Sequence, residues 1–112
     1  MSVHHTTADE EWAIEEFTQV ELQDARLNRR CQELAVTLGQ QPNAPLNQAC
    51  EEWSDTKAAY RFFDNEKVTS TGILAPHHQC TVERMTKHPL VLAVQDSTFF
   101  NYTHHPHTTG LG

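Results

Sequence analysis

The stretch "DARLNRRCQELAVTL", residues 24–38, is the segment from which the fold can best be inferred. Its apolar residues recur at steps of four, three and four, at Leu27, Cys31, Leu34 and Leu38. This spacing places them on one side of an α-helix. The pattern therefore predicts an amphipathic helix over about residues 24–38, with Gly39 as its C-terminal cap.

A second face of this helix is basic and carries Arg26, Arg29 and Arg30. Arg29 and Arg30 follow Arg26 by three and four residues, which places all three on neighbouring positions of the helix surface. Two interpretations remain open. The face is either solvated, with Asp24 and Glu33 pairing weakly with the arginines, or it contacts the phosphates of a nucleic acid.

The segments that flank this helix are also predicted to be mainly helical. Residues 6–20, "TTADEEWAIEEFTQV", predict a first helix with Thr7 or Asp9 as its cap and with Trp12 and Phe17 facing inward. Residues 41–47, "QPNAPLN", contain two prolines and two asparagines and predict a loop.

Residues 50–65, "CEEWSDTKAAYRFFDN", predict a third helix that Ser54 or Asp55 caps. Lys57 and Arg61 lie one turn apart on it and form a second basic pair. Tyr60 either packs in the core, which is the favoured interpretation, or stacks on a base. The apolar residues expected in the core are Ala59, Phe62 and Phe63. A fourth helix follows over about residues 70–87, kinked or divided at Pro76.

The stretch "LVLAVQDSTFFNY", residues 90–102, predicts a strand that leads to Asp96, with a possible second strand after it. The run is apolar at successive positions, as in a strand covered on both faces. A carboxylate at the end of such a strand is costly unless it is paired or binds a metal. From spacing alone, the favoured interpretation is that Asp96 begins a turn through Ser97 and Thr98.

Composition limits the possible functions. The chain has 112 residues and a net charge of −7, from 15 acidic residues against 8 lysines and arginines. That balance argues against nucleic-acid binding and favours a protein-interaction role. There is no apolar run of membrane-spanning length and no signal-peptide pattern at the N-terminus, so we expect a cytoplasmic protein without a membrane partner. The three widely spaced cysteines suit reduced thiols.

Histidines are concentrated in two places, which raises the possibility of a metal site. A structural zinc site usually has four well-placed cysteine or histidine ligands, and the cysteines lack that spacing. We therefore expect a surface segment rather than a metal site at His77 and His78 and at His104, His105 and His107.

Five stretches together resemble the N-terminal part of insertion-sequence-four-family (Tn-five-like) DDE transposases. The most specific pair is "AYRFF", followed about thirty residues later by a strand ending in "DST". Gln40 and Gln41 depart from the family, which has a basic residue and a tyrosine there. The matching stretches are residues 12–17, 22–30, 58–69, 73–85 and 91–106.

The resemblance implies a mainly α fold, with a helical DNA-binding domain at 8–88 and the first strand or hairpin of a truncated RNase H-like α/β domain at 89–112. It implies that Asp96 is the first carboxylate of a DDE triad that binds Mg²⁺ in the intact enzyme. The chain alone is expected to bind no cofactor and to be inactive, because the other two carboxylates have no counterpart here. The expected partner is double-stranded DNA at transposon ends, with self-association possible through the exposed strand. The expected DNA-binding residues are Arg26, Arg29, Arg30, Lys57 and Arg61.

Two other functions remain open: a truncated regulator that occupies transposon ends without cutting, and a small helical interaction protein that binds no DNA. A continuous positive face with Arg26, Arg30, Lys57 and Arg61 would favour DNA binding. Neutralisation of that face by neighbouring acids would favour the interaction protein. Those acids are Glu51, Glu52 and Asp55.

Overall fold

The computed structural model describes the backbone of residues 8–111 and the side chains from Glu10 onward. Over these residues the chain is helical and contains no β-strand, which confirms the predicted mainly α fold. None of the helices in this range combines the length and apolarity needed to cross a bilayer. The five helices are α1 (Ala8–Phe17), α2 (Ala25–Gln40), α3 (Leu46–Ala49), α4 (Trp53–Asp64) and α5 (Ser70–Thr86).

Helix α2 begins where its sequence predicts, because the Asp24 side chain accepts a hydrogen bond of 2.8 Å from the Arg26 backbone N–H. Its predicted end is wrong by two residues. Gly39 stays helical, and Gln41 is the cap, with its N–H donating to the carbonyl of Leu38. A Cβ at Gly39 would lie 3.8 Å from the Trp12 side chain, an ordinary contact distance, so the packing of α1 against α2 does not require glycine here.

The core lies between α2, α4 and the segment that joins α1 to α2. The predicted apolar stripe of α2 is confirmed: Cys31 and Leu34 are buried, and Leu27 packs against them. On α4, Ala59 and Phe62 are buried as predicted. The buried cluster consists of Val20, Leu22, Cys31, Leu34, Cys50, Ala59 and Phe62.

Three aromatic residues expected in the core are instead about half exposed: Trp12, Tyr60 and Phe63. On α4 the reason is geometric, because the helix buries only the narrow face that carries Thr56, Ala59 and Phe62. Tyr60 lies outside that face, so its predicted core position is wrong.

The predicted helices form, but the predicted cap residues of α4 are wrong. Helix α4 begins at Trp53, so Ser54 and Asp55 lie inside its first turn, and the N-cap Glu52 makes no side-chain cap bond. The predicted loop contains the single-turn helix α3. Thr7 and the Asp9 side chain, the expected caps of α1, lie outside the described residues. Helix α5 continues through the buried Pro76 without dividing.

A buried carboxylate fixes α1 to α5. Glu16 is only 3% exposed, and both Arg84 guanidinium Nη groups donate to it at 2.8 Å. His77 Nδ1 lies 2.5 Å from the same carboxylate. The Arg84 hydrogen bonds, with a smaller contribution from His77, lower the pKa of Glu16 to about 2 despite its burial. Glu16 is therefore ionised in the folded chain over the physiological pH range.

The predicted strand near residues 90–94 does not form within the described residues. The segment after α5 has no regular structure, and Leu90, Leu92 and Val94 are largely exposed. A strand needs a hydrogen-bonded neighbour, and an apolar one needs cover on both faces. The helices described here supply neither.

Candidate nucleic-acid interface

An open groove lies between the N-terminal half of α2 and the C-terminal half of α4. Its volume is about 320 Å³. Leu27 and Phe62 form its apolar floor, where the two helices pack against the core. The lining residues are Asp24, Arg26, Leu27, Arg30, Ala58, Arg61, Phe62 and Asn65.

Three of the five predicted DNA-binding residues meet in this groove. Arg26 and Arg30 come from successive turns of α2, and Arg61 comes from the last turn of α4. The sequence places them in two separate basic clusters, and only the packing of α2 against α4 brings them together. We name this feature the basic groove and define it by Arg26, Arg30 and Arg61.

The cations of the basic groove are held loosely. Arg26 Nε lies 3.7 Å from Asp24, and its side chain is 87% exposed. Arg30 forms a 3.2 Å ion pair with Glu33 on the helix surface. Arg61 forms no ion pair with any residue in the 8–111 range. Exposed pairs of this kind contribute at most about 1 kcal/mol, so a phosphate can replace the carboxylate partner at low cost.

Asp24 is the acidic residue that lines the basic groove, and its charge is compensated locally. The Arg26 backbone N–H, followed by the charges of Arg26 and Lys67, lowers the pKa of Asp24. The charge of Lys67 therefore acts on the one carboxylate that lines the groove. Lys67 was not among the predicted residues. It lies in the turn that directly follows α4, where the Asn65 side chain accepts a hydrogen bond of 2.9 Å from the Lys67 N–H.

The other two predicted residues lie outside the basic groove. Arg29 is exposed elsewhere on α2, and Lys57 is exposed on α4 with its Nζ 5.9 Å from the centre of the Trp53 ring. No ion pair in the described part of the chain links Glu51, Glu52 or Asp55 to any of the predicted cations. Asp55 does share a small cavity with Arg30 and Glu33, of about 130 Å³.

Asp96 lies in the exposed segment that follows α5, where its carboxylate accepts a 2.8 Å hydrogen bond from the Ser97 N–H. Among residues 8–111, no group of three or more histidine, cysteine or acidic side chains is arranged to hold a metal ion. The described residues around Asp96 therefore do not fit a magnesium site.

A second groove is apolar and lies on another side of α2. It has a volume of about 380 Å³ and brings together residues of α1, α2, α4 and α5, with the half-exposed Trp12 and Phe63 among its lining side chains. Apolar grooves of this kind are typical of surfaces that contact other proteins. It is lined by no charged side chain, in contrast to the basic groove.

A known protein family matches most of the helical region. The family described as Transposase DNA-binding matches residues 9–68, which is more than half of the chain. No curated protein and no solved structure matches the chain significantly. The matched region runs from α1 to the turn after α4 and contains the whole basic groove. The prediction of a transposase DNA-binding region is confirmed, and the chain belongs to the transposase DNA-binding family.

Proposed function

We propose that this chain recognises the ends of a transposable element as the DNA-binding part of a cut-and-paste DDE transposase of the insertion-sequence-four, Tn-five-like type. The observation that carries the proposal is the convergence of Arg26, Arg30 and Arg61 in one groove within the family region. Residues 8–88 then act as the DNA-binding domain, and the bacterial cytoplasm, where its thiols stay reduced, is its compartment.

The charge distribution supports this function more strongly than the net charge opposes it. The chain as a whole carries −7, but the basic groove carries three guanidinium groups against the single carboxylate of Asp24. Guanidinium groups suit phosphate oxygens because they donate two parallel hydrogen bonds. Such contacts fix the position of a protein on DNA, while base contacts supply the sequence preference. Arg29 and Lys57, which are exposed outside the groove on α2 and α4, are proposed to extend the phosphate contacts.

A titration over several salt concentrations tests the proposal. A fluorescein-labelled mixed-sequence duplex is titrated with the wild-type chain and with Arg61→Ala and Arg30→Ala, and binding is followed by anisotropy. Each lost phosphate contact should lower the log–log salt slope by about 0.9 and weaken binding at every salt concentration. Lys87→Ala, at the far end of α5, is the matched control and should change neither quantity. An unchanged slope in both arginine variants would show that the groove is only a solvated surface.

The catalytic part of the proposal concerns Asp96. The segment from residue 89 onward is proposed to become the first strand of an RNase H-like domain once partner strands cover it, and Asp96 then supplies the first of three carboxylates for Mg²⁺. The exposure of Leu90, Leu92 and Val94 supports this, since these side chains need cover that residues 8–111 do not provide. No catalytic step is assigned to the chain itself. Through the same exposed side chains it is proposed to self-associate when no other partner is present.

The second candidate is a protein-interaction role without DNA binding, and the apolar groove with Trp12 and Phe63 favours it. The net charge of −7 points the same way. The salt titration separates the two functions, because an interaction protein would show no arginine-dependent DNA affinity. A regulator that occupies ends without cutting would bind as the first proposal requires.

A further inference from the structure

Helix α4 carries two large aromatic side chains that the fold leaves in solvent. Trp53 is 71% exposed and Tyr60 is 54% exposed. Lys57 lies between them, with its Nζ 5.9 Å from the centre of the Trp53 ring. We call this surface the aromatic stripe and define it by Trp53, Lys57 and Tyr60.

The three side chains share one face of α4. At 3.6 residues per turn, Trp53 and Tyr60 differ by about 20° around the helix axis and by about 10 Å along it. Lys57 is displaced from Trp53 by about 40° and Arg61 by about 80°, in the same direction. Since Arg61 lines the basic groove, the aromatic stripe leads directly into that groove.

The fold gives these rings no internal role. The buried face of α4 carries Thr56, Ala59 and Phe62, and neither Trp53 nor Tyr60 lines a described cavity or makes an aromatic contact within residues 8–111. Lys57 Nζ lies over the Trp53 ring, and a ligand can displace this long, exposed side chain. The stripe is therefore available to an external partner.

The chemistry of the stripe fits an unpaired nucleotide. Aromatic rings stack on the faces of bases. The stacking free energy is similar for every base, because each base has a π-face. In a continuous duplex those faces are covered by the neighbouring base pairs, whereas at a single-stranded extension they are free. Lys57 and Arg61 lie on one side of the rings, where the phosphates of the same strand would run. Asp64, one turn beyond Tyr60 and about 20° from Trp53 around the helix axis, is an acidic residue on the same face.

We propose that the aromatic stripe stacks on unpaired bases, so that the chain binds a duplex with a single-stranded extension more tightly than a blunt duplex. The proposal rests on DNA binding by the basic groove: the groove holds the duplex phosphates, and the stripe takes the bases where pairing ends.

The test uses the full chain and three fluorescein-labelled probes: a blunt mixed-sequence duplex, the same duplex with a short oligothymidine extension, and the oligothymidine alone. The extended duplex should bind about tenfold more tightly than the blunt one, corresponding to one well-stacked base. Trp53→Ala should abolish that preference, and Tyr60→Ala should reduce it, while blunt-duplex affinity stays within about twofold of wild type. Trp53→Phe keeps a stacking ring and should retain most of the preference.

The fluorescence of Trp53 tests directly whether bases stack on the aromatic stripe. The chain has two tryptophans, so a Trp12→Phe background leaves Trp53 as its only tryptophan. Stacking on a base should quench Trp53 fluorescence with the extended probe and not with the blunt probe. The Trp12→Phe change itself, on α1, should leave all three affinities unaltered.

The outcomes distinguish this inference from the proposed function. Arginine-dependent binding of the blunt duplex with no preference for the extended one would refute the stripe alone. Failure to bind any of the three probes would refute both proposals. If Trp53→Ala dissolves a chain dimer in sedimentation and leaves DNA affinities unchanged, the stripe is a protein-contact surface and the inference is wrong.

Discussion

Replacing Glu16 by glutamine tests how the fold holds α1 in place. Glutamine has the same size, but it is neutral, and its amide N–H₂ faces the Arg84 and His77 nitrogens that now surround the carboxylate. The substitution therefore removes the charge from two hydrogen bonds of 2.8 Å and leaves the cation without its partner. We expect α1 to loosen from α5 and the whole helical unit to lose stability.

The size of the effect follows from the pKa of Glu16. Lowering that pKa from 4.5 to about 2 corresponds to about 3 kcal/mol of preferential stabilisation of the ionised, folded state. This value is an upper limit, because the Arg84 side chain is 51% exposed and is screened by water in the folded chain. We expect Glu16→Gln to lower the free energy of unfolding at neutral pH by about 2 kcal/mol, or by roughly 10 °C in melting temperature.

The sign of the pH dependence gives a second measurement. Because the folded-state pKa of Glu16 lies below its unfolded value, the stabilisation is fully present above about pH 4.5. It is lost as the pH falls from there towards about 2, where the carboxylate becomes protonated in the folded chain as well. Urea unfolding of wild type and Glu16→Gln at a series of pH values should show the difference shrinking over this window.

Glu15→Gln is the matched control, since Glu15 is the exposed neighbour on the same helix. It should change stability by less than about 0.5 kcal/mol at any pH. Arg84→Met serves as a second variant in case Glu16→Gln fails to fold. If the Glu16 variant matches wild type at neutral pH, or if the difference is the same at pH 7 and pH 3, the carboxylate does not hold α1 to α5.

Three further outcomes are expected. Gly72→Ala should lower the free energy of unfolding, measured by urea titration, by about 1 kcal/mol. The new Cβ would lie 2.9 Å from the side chain of the buried Leu22, and this overpacking outweighs the higher helix propensity of alanine. An increase in stability would contradict this. Amides of residues 91–95 should exchange with solvent faster than those of α2 in a monomeric sample, since they lie in an exposed segment without regular structure; slower exchange would mean that this segment is covered. The chain should not cleave duplex DNA with Mg²⁺ or Mn²⁺, and cleavage that Asp96→Ala abolishes would mean that a complete metal site is present.

Local signals in the sequence were enough to predict α2. Its apolar stripe depends only on residues a few positions apart, and Cys31 and Leu34 are buried as the spacing predicts. The ends of helices are harder, because a cap depends on which backbone groups find partners. At α4 the N-cap is Glu52 rather than Ser54 or Asp55.

The site was only partly predictable, because it depends on contacts between elements. The arginines of α2 and α4 were identified separately, but nothing local shows that Arg26, Arg30 and Arg61 line one groove while Arg29 and Lys57 do not. The exposed position of Tyr60 has the same origin. A residue next to the buried face of a helix can be either buried or exposed. Which of the two occurs depends on how the neighbouring helix packs.

The separation of charge in this molecule affects how fast and in which orientation it can meet DNA. The exposed surface of α1 carries Glu11 and Glu15, and Glu51 and Glu52 lie before α4, while three of the guanidinium groups line the basic groove. Separated charges give a molecule a dipole, and the field of a DNA duplex turns such a molecule during approach so that its positive side faces the phosphates. Encounters in other orientations are repelled at distances within a Debye length. The acidic surface outside the groove thus shortens the time that the chain stays bound to non-specific DNA. The chain can therefore sample more sites in a given time.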